Sequence, residues 1–250
     1  MRLATFNILN GRTPGDDRVD PDRFADVVRE LDADVLALQE VDRGQARSGC
    51  TDLTALAAEA MAAVDHRFVP ALTGTLGKTW TAATGEDDPG APAYGVALLS
   101  RYPVTSWRVQ RLPALPGRAP YRFSGQRAPH LVADEPRVAV IADVASPLGP
   151  LTVACTHLSF LPGWNVVQLR PLVRAVRDSP SLALMGDLNM GPALAGRVTR
   201  LRPAATGATF PSWQPARQID HLLVRGLPAP RRAGPQATAV SDHCALLADW

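Results

Sequence analysis

The sequence has a single lysine, few cysteines and no long apolar run. All 26 basic residues except Lys78 are arginine, and the cysteines number 3, at positions 50, 155 and 244. An odd number of cysteines without metal-ligand spacing argues against a disulfide framework and against a zinc site. Cys155 and Cys244 lie in apolar runs, so we expect them to be buried thiols.

Nothing in the sequence predicts a membrane-spanning or an exported protein. No stretch approaches the ~18 uninterrupted apolar residues of a transmembrane helix. The first strand-like run begins almost at Met1, without the basic and then apolar segments of a secretory leader. We therefore expect a cytoplasmic protein, in which 46% apolar residues are ample for a sizeable core.

Acidic residues are missing from a long central segment, between Asp88 and Asp134. Residues 1–88 hold 16 acids and 9 bases and residues 89–250 hold 8 acids and 17 bases, so a charge of −7 is followed by one of +9. The segment without acids contains six arginines, and aromatic residues that include Trp107, Tyr121 and Phe123 are interleaved with them. The arginines are Arg101, Arg108, Arg111, Arg118, Arg122 and Arg127. Such a mixture suits a phosphate-bearing ligand, including single-stranded nucleic acid, and it equally suits a solvated arginine-rich surface.

Short apolar strands alternate irregularly with a few helices. We predict helices over 21–31, 51–63 and 164–177, the first begun by Asp20-Pro21 and the second capped by Thr51. The predicted strands are 2–9, 34–39, 66–71, 94–100, 104–111, 137–145, 150–156, 181–186, 219–224 and 243–249. Most successive strands have no helix between them, so a purely parallel sheet is not expected.

The Pro-rich segments 113–120 and 226–235 are expected to be loops and carry no linker signature. A chain of 250 residues allows one large domain or two small ones. Because the motifs described next run from end to end, we predict a single domain over residues 1–250.

The most informative motif is Gly186-Asp187-Leu188-Asn189, which ends an apolar run of strand length. Side chains alternate along a strand, so Asp187 and Asn189 should point to the same side at its end. By itself this motif fits a turn as well as it fits a catalytic site. Five further junctions share its pattern of a short apolar run that ends or starts on Asn, Glu, His or Asp. They are Thr5-Phe6-Asn7, Gln39-Glu40, Thr156-His157, Ile219-Asp220-His221 and Ser241-Asp242-His243.

Six such junctions, rich in residues that bind hard cations or move protons, are hard to explain as turns. Together with Tyr94-Gly95-Val96-Ala97, and in this order, they resemble the endonuclease/exonuclease/phosphatase superfamily, which has the deoxyribonuclease-I-like fold. The resemblance spans Asn7 to His243. It implies an α+β protein built as a four-layer α/β/β/α sandwich, in which two packed, mostly antiparallel sheets are flanked by helices.

The resemblance implies a divalent-metal-dependent phosphoester hydrolase, either a phosphodiesterase or nuclease, or a phosphatase. Glu40 is the expected first metal ligand, with Asn7 and Asp242 completing the site directly or through water. A hard cation held by few carboxylates and several waters fits Mg²⁺ or Mn²⁺.

Five further residues are expected to carry the chemistry. His243 would contact the scissile phosphate or move a proton beside it, with Asp220 as its orienting partner. Asp187 would position or deprotonate the attacking water, and Asn189 would donate to a phosphoryl oxygen. His157 would steady the transition-state charge or protonate the leaving oxygen. His221 should face the opposite side of its strand from Asp220.

The sequence departs from the family pattern at the carboxylate partner of His157. Deoxyribonuclease-like members carry this partner near the Tyr-Gly motif, where this chain has Ala91-Pro92-Ala93. The nearest acids are Glu86, Asp87 and Asp88. The role of His157 as a general acid therefore lacks its usual support.

Arginines near the expected metal are candidates for gripping phosphate with a bidentate fork. Arg43 and Arg47 follow Glu40 closely, and Arg137 is a further candidate; all three equally fit surface positions. The substrate stays open between nucleic acid and a small phosphoester of a sugar, an inositol or a lipid head group. The competing hypotheses are a catalytically inactive phosphate- or nucleic-acid-binding module of the same fold and an arginine-rich nucleic-acid-binding protein without a metal. The oligomeric state is not predicted.

Overall fold

The computed structural model describes residues 1–15, 18–88, 90–123 and 125–250. In this part of the chain there are fifteen strands and four α-helices. The strands are β1 (Arg2–Asn7), β2 (Val35–Arg43), β3 (Asp65–Thr73), β4 (Thr81–Ala82), β5 (Ala93–Ser100), β6 (Val104–Leu112), β7 (Arg118–Tyr121), β8 (His130–Ala133), β9 (Arg137–Ser146), β10 (Gly149–His157), β11 (Leu182–Asp187), β12 (Arg202–Pro203), β13 (Asp220–Arg225), β14 (Arg232–Gln236) and β15 (Ala245–Asp249). The helices are α1 (Pro21–Leu31), α2 (Leu53–Ala60), α3 (Trp164–Ala175) and α4 (Pro192–Thr199).

The strands form two large sheets and one small one. The first sheet has the order β14-β15-β1-β2-β5-β3-β4, and the second has the order β12-β13-β11-β10-β9-β6. Strands β7 and β8 form a separate two-stranded sheet. Only β1 with β2 and β10 with β11 run parallel among the described pairs, and the other pairs are antiparallel.

Apolar side chains divide the molecule into four layers. One buried cluster, which includes Leu3 and Val153, fills the space between the two large sheets. A second cluster joins α1 and α2 to the outer face of the first sheet, for example through Phe24. A third joins α3 and α4 to the outer face of the second sheet, for example through Leu169. The predicted α+β sandwich of two mostly antiparallel sheets flanked by helices is therefore confirmed.

The first two helices begin on aspartates. Asp20 Oδ1 accepts the N–H groups of Asp22 and Arg23, and Pro21 occupies the first turn, as predicted. The prediction that Thr51 caps the second helix is wrong, because Asp52 Oδ1 accepts the N–H groups of the second and third helical residues at 2.9 and 3.0 Å. A carboxylate is a stronger acceptor at this position than a threonine hydroxyl, since its negative charge is also attracted to the positive end of the helix dipole.

The two Pro-rich segments are only partly loops. Strand β7 lies at the end of the first segment, and β14 occupies the second from Arg232 onwards. Pro235 is tolerated in β14 because this strand is at the edge of the first sheet, where a residue without an N–H group need not break the ladder.

Strand pairing brings the predicted polar strand ends to one end of the sandwich. Asn7 is opposite Gln39 in the parallel pair of β1 and β2, and His157 is opposite Asp187 in the parallel pair of β10 and β11. Asp220 is opposite Asp187 in the antiparallel pair of β11 and β13. Both sheets therefore contribute side chains to the same rim. In the part of the chain that the structure describes, no helix has the length and apolarity that crossing a membrane requires.

Candidate active site

Asp187 lies at the centre of the polar groups on this rim. Its Oδ2 accepts a hydrogen bond from Asn7 Nδ2 at 3.1 Å, and its Oδ1 accepts the backbone N–H of Asn189 at 2.9 Å. The same Oδ2 is 3.5 Å from His157 Nε2 and 3.9 Å from His243 Nε2. Asp187 thus joins the first sheet to the second and lies between two imidazoles.

The main-chain path at Asp187 depends on Gly186. A Cβ at this position would lie 1.9 Å from the carbonyl oxygen of Thr156, and its φ of +144° is one that L side chains rarely adopt. Glycine therefore lets β10 and β11 approach closely enough to set His157 beside Asp187.

His243 is held by a buried carboxylate. Asp220 Oδ2 lies 2.9 Å from His243 Nδ1 and also accepts the hydroxyl of Thr209 at 2.5 Å. Burial opposes the charge of the imidazole, but Asp220, Asp187 and Asp242 together raise the pKa of His243 to about 10. The imidazole is consequently cationic at neutral pH, with Nε2 turned towards Asp187. Thr209 belongs to none of the motifs, although it precedes Asp220 by only 11 residues.

The pKa of Asp187 is raised to about 7, first by burial and then by Asp220. His243, the Asn189 N–H and Asn7 act in the opposite direction. A carboxylate in this range can accept a proton near neutral pH, unlike an ordinary aspartate with a pKa of about 4.

Glu40 projects from an irregularity in β2. The pairing of β2 with β5 shifts between Leu38 and Val41, so one extra residue is accommodated, and Glu40 has a φ of +56°. Such a bulge changes the direction in which a side chain leaves its strand. The carboxylate accepts a hydrogen bond from Asn7 Nδ2 at 3.1 Å. Burial raises the pKa of Glu40, and the nearby Asp242 adds to this effect, while Asn7 and His243 oppose it.

The donor set of Glu40, Asp242 and Asn7 fits a hard cation. Asp242 Oδ1 is buried without a hydrogen-bond partner among the described residues, and Glu40 is a carboxylate whose charge burial disfavours. A bound cation would satisfy both groups. Asn7 Oδ1 accepts the backbone N–H of Leu9 at 3.1 Å, which favours contact through water over direct ligation.

A different trio, formed by Asp187, Asp220 and His243, has its ligand atoms within 4.8 Å of one another. Most of its ligand atoms are already engaged, however, because Asp220 Oδ2 binds His243 and Thr209 while Asp187 binds Asn7 and Asn189. Asp220 Oδ1 is buried without a hydrogen-bond partner among the described residues. We regard these three residues as a hydrogen-bonded group that orients His243, and Glu40 with Asp242 as the better metal donors.

His157 and Asn189 form the side of the site next to Asp187. Asn189 Nδ2 lies 3.4 Å from His157 Nε2 and donates to the carbonyl oxygen of Leu158 at 3.0 Å. Among the described residues, Asp187 is the one carboxylate within 4.0 Å of His157. Burial, together with the positive charges of Arg137 and His243, holds the pKa of His157 well below its usual range. A neutral His157 can form hydrogen bonds but carries no proton to give at neutral pH.

Two of the three arginines singled out in the sequence line the same cleft. Arg47 donates two hydrogen bonds of 2.8 Å to the buried Asp42, and its guanidinium lies 5.4 Å from the centre of the Tyr94 ring. Arg137 is buried at the start of β9, where its Nη2 is 3.6 Å from Asp134 and 3.7 Å from Glu135. Arg137 Nε has no hydrogen-bond partner among the described residues.

Arg43 does not reach this cleft. Its guanidinium lies 5.0 Å from the centre of the Phe68 ring and donates to the carbonyl oxygen of Ala91 at 3.4 Å. His221 is also apart, as expected, because its Nε2 lies 2.8 Å from the carbonyl oxygen of Met190 while Asp220 faces His243.

We name the cavity around Asp187 the main cleft, which has a volume of about 540 Å³. Its charged lining comprises four arginines, three carboxylates and two histidines, namely Arg12, Arg47, Arg137, Arg217, Glu40, Glu135, Asp187, His157 and His243. Sequence analysis missed Arg12, Glu135 and Arg217, which belong to no motif.

One wall of the main cleft is aromatic. The ring of Tyr121 lies edge-on to those of Phe123 and Phe160, with centroid distances of 5.0 Å in both pairs. On another side, the Phe210 ring is 4.9 Å from the imidazole of His243. Phe160 and Phe210 gave no signal in the sequence, because each is a lone aromatic residue in a loop.

The arginines of the segment without acids do not form one basic surface. Arg101 pairs with Asp32 at 2.7 Å, and Arg108 is 3.6 Å from Asp143. Arg111 donates to main-chain carbonyls. The other three, Arg118, Arg122 and Arg127, are exposed on or beside the β7–β8 sheet, which carries part of the aromatic wall.

Several solved structures share this fold. An endonuclease/exonuclease/phosphatase from Beutenbergia cavernae matches with a TM-score of 0.70 and 22% identity, over 99% of this chain and 70% of its own. A mannosyl-6-phosphatase from Bacteroides thetaiotaomicron gives 0.68 and 15%, over 100% and 98%. A mutant of beta toxin from Staphylococcus aureus, with bound magnesium ions, gives 0.62 and 14%, over 99% and 98%. At identities this low, the structural similarity establishes a shared fold and nothing further.

No protein of curated function matches the chain by sequence. The family model matches residues 4–243, which spans every motif from Asn7 to His243. The chain therefore belongs to the Endonuclease/Exonuclease/phosphatase family, as its ordered strand-end motifs predicted.

Proposed function

We propose that this protein is a divalent-metal-dependent phosphoester hydrolase whose reaction takes place in the main cleft. The observation that carries this proposal is the position of Asp187, between His157 and His243 and bonded to Asn7, in a cleft lined by four arginines. A buried carboxylate beside a cationic imidazole can activate water, and arginines suit a phosphate.

Glu40 and Asp242 would hold Mg²⁺ or Mn²⁺, with Asn7 contacting it through water. When bound, the cation would neutralise charge on the phosphoryl oxygens and stabilise the leaving oxygen. Asn7 links Glu40 to Asp187, and Asp242 Oδ1 lies 4.0 Å from His243 Nε2, so these donors belong to the same site as the residues proposed for the chemistry.

Asp187 would position and deprotonate the attacking water. Its pKa of about 7 is suited to this task, because such a group is largely ionised just above neutral pH and still basic. His243 would bind a phosphoryl oxygen through Nε2–H, since its other nitrogen is engaged with Asp220. Its positive charge would oppose the negative charge that develops in the transition state.

Asn189, His157 and two arginines would complete the phosphate site. Asn189 Nδ2 and His157 Nε2 lie 3.4 Å apart and could both bind one phosphoryl oxygen. With its lowered pKa, His157 is better suited to this role than to protonating the leaving oxygen. Arg47 keeps one edge of its guanidinium on Asp42, which fixes the orientation of the rest of the group. Arg137 would balance charge from the buried side of the cleft.

The substrate class is open between nucleic acid and a small phosphoester. A panel with one protein preparation separates these classes. Plasmid DNA and RNA should be compared with sugar phosphates, p-nitrophenyl phosphate and bis-p-nitrophenyl phosphate, each with EDTA and again after Mg²⁺ or Mn²⁺ is restored. We expect turnover of at least one substrate class that stops with EDTA and returns with either cation.

Two outcomes would contradict the proposal. Hydrolysis that resists EDTA after extensive dialysis would exclude a metal-dependent mechanism. If no substrate is turned over while phosphate or nucleic acid still binds, the protein is the inactive binding module instead.

A further inference from the structure

A second cleft, separate from the main one, lies where β3 of the first sheet approaches β6, the edge strand of the second. Its volume is about 420 Å³, and it shares no lining residue with the main cleft. It is lined chiefly by residues of β3 and β6, by the loop after β4 and by Arg43 at the end of β2.

The second cleft carries an excess of positive charge. Arg43, Arg67 and Arg111 line it together with one carboxylate, Asp87. Among the described residues, none of the three guanidiniums has a carboxylate within 4.0 Å, whereas Arg47 and Arg101 elsewhere in the chain do have one. Three arginines facing one cavity without acidic partners repel one another, and a bound anion would remove this repulsion.

Asp87 offsets this charge only in part. Its pKa is lowered first by the backbone N–H of Gly85 and to a smaller extent by the charge of Arg111, and among the described residues no ion pair within 4.0 Å joins it to any of the three arginines. Its Oδ2 accepts the N–H groups of Thr84 and Gly85 at 2.8 and 2.9 Å, so the carboxylate organises the loop after β4. In that loop, the carbonyl oxygen of Thr84 accepts a hydrogen bond from Arg111 Nε at 3.2 Å.

Two of the guanidiniums are held in place by the protein itself. Arg111 also donates Nη1 to the carbonyl oxygen of Pro70 at 3.3 Å, which leaves Nη2 without a hydrogen-bond partner among the described residues. Arg43 is fixed between the Phe68 ring and the Ala91 carbonyl oxygen, and its Nε is buried without a hydrogen-bond partner among the described residues. Donors that are already oriented lose little freedom when a ligand binds.

Arg67 is exposed on β3, and no hydrogen bond or ion pair to another described residue holds its side chain, so it can close on a ligand from the solvent side. Val69, Pro70 and Val109 supply an apolar lining beneath the charges. Two oriented guanidiniums with a third mobile one suit a compact anion that carries several oxygens, and phosphate is such a group.

We propose that the second cleft binds a phosphate group and is an anion site distinct from the main cleft. The phosphate could belong to a substrate long enough to extend from the main cleft, or to a separate small phosphorylated compound. The proposal does not depend on hydrolysis, since none of its residues takes part in the chemistry proposed for the main cleft.

The test uses pyrophosphate as the probe and the full chain in EDTA, so that no divalent cation can recruit the anion to the main cleft. Calorimetric titration should be compared between the wild type and the double variant Arg67→Gln/Arg111→Gln. A matched control is Arg197→Gln/Arg231→Gln, which removes the same charge from two exposed arginines that line neither cleft. We expect the affinity to fall by about tenfold or more in the first variant and by less than about twofold in the control.

Equal weakening in both double variants would mean general charge attraction and would overturn the site, as would the absence of measurable binding to the wild type. If Arg67→Gln/Arg111→Gln does not fold, the single variant Arg67→Gln decides, because that exposed side chain makes no hydrogen bond or ion pair to another described residue. It should still lower affinity by about threefold or more, and unchanged affinity overturns the proposal.

A second measurement on the same variants distinguishes a phosphate of a long substrate from a phosphate of a separate small ligand. An effect of Arg67→Gln/Arg111→Gln on the KM of long oligonucleotides, but not of dinucleotides, supports the site as an extension of the main cleft. Unchanged KM values with weakened pyrophosphate binding support it as a site for a separate small ligand.

Discussion

The floor and the aromatic wall of the main cleft are built in opposite ways. The floor consists of buried polar side chains from both sheets, in which Asp187, Asn7 and His243 are fixed by hydrogen bonds or close charge contacts. The wall consists of rings that touch one another edge-on, and Phe123 keeps 40% of its surface exposed. A change in the floor leaves a buried polar group without its partner, whereas a change in the wall removes only contact area.

The difference indicates a division of tasks. Floor residues have little freedom, because strand pairing sets their position, and this suits groups that must meet the reacting atoms. Wall residues lie on the small β7–β8 sheet and on loops, where substitutions alter the shape of the cleft without disturbing either large sheet. We therefore expect the floor to determine rate and the wall to determine which substrate is accepted.

The largest effect should follow from the central carboxylate or its imidazole partner. Asp187→Asn removes the base, and His243→Ala removes the cation that faces the phosphate, so each should lower kcat by about a thousandfold or more. Turnover of the best substrate from the panel, with Mg²⁺ present, measures this.

Asp178→Asn is the matched control, because Asp178 is an exposed carboxylate on the surface, and it should retain wild-type turnover. Circular dichroism should show that all three variants are folded. Wild-type turnover in Asp187→Asn on every accepted substrate would exclude the proposed catalytic role of Asp187.

Gly186→Ala should show that the floor depends on close strand packing. The added Cβ would lie 1.9 Å from the Thr156 carbonyl oxygen, so β10 and β11 must separate. We expect the free energy of unfolding to fall by about 3 kcal/mol or more, as for other substitutions that force strain on a buried backbone. Denaturant unfolding measures the change.

Gly196→Ala in α4 is the control, since a Cβ there meets open space and alanine is the better helix former. It should change stability by at most about 1 kcal/mol, in the stabilising direction. Equal stability of the two variants would show that the close approach at Gly186 is not needed.

A variant in the wall should change selectivity more than rate. Phe123→Ala removes a ring from the Tyr121–Phe160 cluster, which should weaken the binding of substrates with an aromatic or base-bearing group by about tenfold in kcat/KM. Substrates without a ring should be affected by less than about twofold.

Leu131→Ala tests the same sheet away from the cleft, because Leu131 is 66% exposed and does not line the cavity. It should leave both substrate types unchanged. If Phe123→Ala slows all substrates equally, the wall contributes to the reaction and the division proposed above is wrong.

The smallest expected effect is on the pH dependence of stability, through the buried His221. Burial lowers the pKa of His221, while the carbonyl of Met190 and the charge of Asp220 partly oppose this. Because the folded-state pKa lies below that of the unfolded chain, about 6.5, protonation favours unfolding, and the stability contribution is complete above pH 6.5 and declines below it. Between pH 7.5 and 5.5 the loss attributable to His221 should be up to about 1.4 kcal/mol.

Urea unfolding at the two pH values, in wild type and His221→Gln, isolates this contribution. The variant should lose less stability on acidification than the wild type does. His66→Gln, at an exposed histidine, should follow the wild type, and an identical pH response in all three proteins would contradict the assignment.

The sequence predicted the floor better than the wall for a physical reason. Floor residues such as Asp187 and Asn7 end buried strands, so their polar character stands out against an apolar run, and strand pairing then brings them together. The wall is assembled from single rings in separate loops, for example Phe160 and Phe210, and no local pattern marks their convergence.

Arg43 and Arg47 also show what the sequence alone could not predict. Both follow Glu40, but β2 continues to Arg43, and the chain then turns back so that Arg47 reaches Asp42 and the main cleft. Spacing along the sequence could not decide which arginine would return. The layers and their packing were predictable, whereas the cap at Asp52 and the edge strand β14 depended on hydrogen bonds that composition does not reveal.

The bulge that presents Glu40 has a counterpart on the other neighbour of β5. The pairing of β3 with β5 also shifts, between Pro70 and Leu72. The first irregularity falls against residues 95–97 and the second against Tyr94-Gly95, so Gly95 is common to both. A side chain at Gly95 would place a Cβ 2.0 Å from the carbonyl oxygen of Val69. The direction of Glu40 is thus a property of three strands together. Grafting its motif into another sheet would therefore require β2, β5 and β3 to be transplanted as one unit.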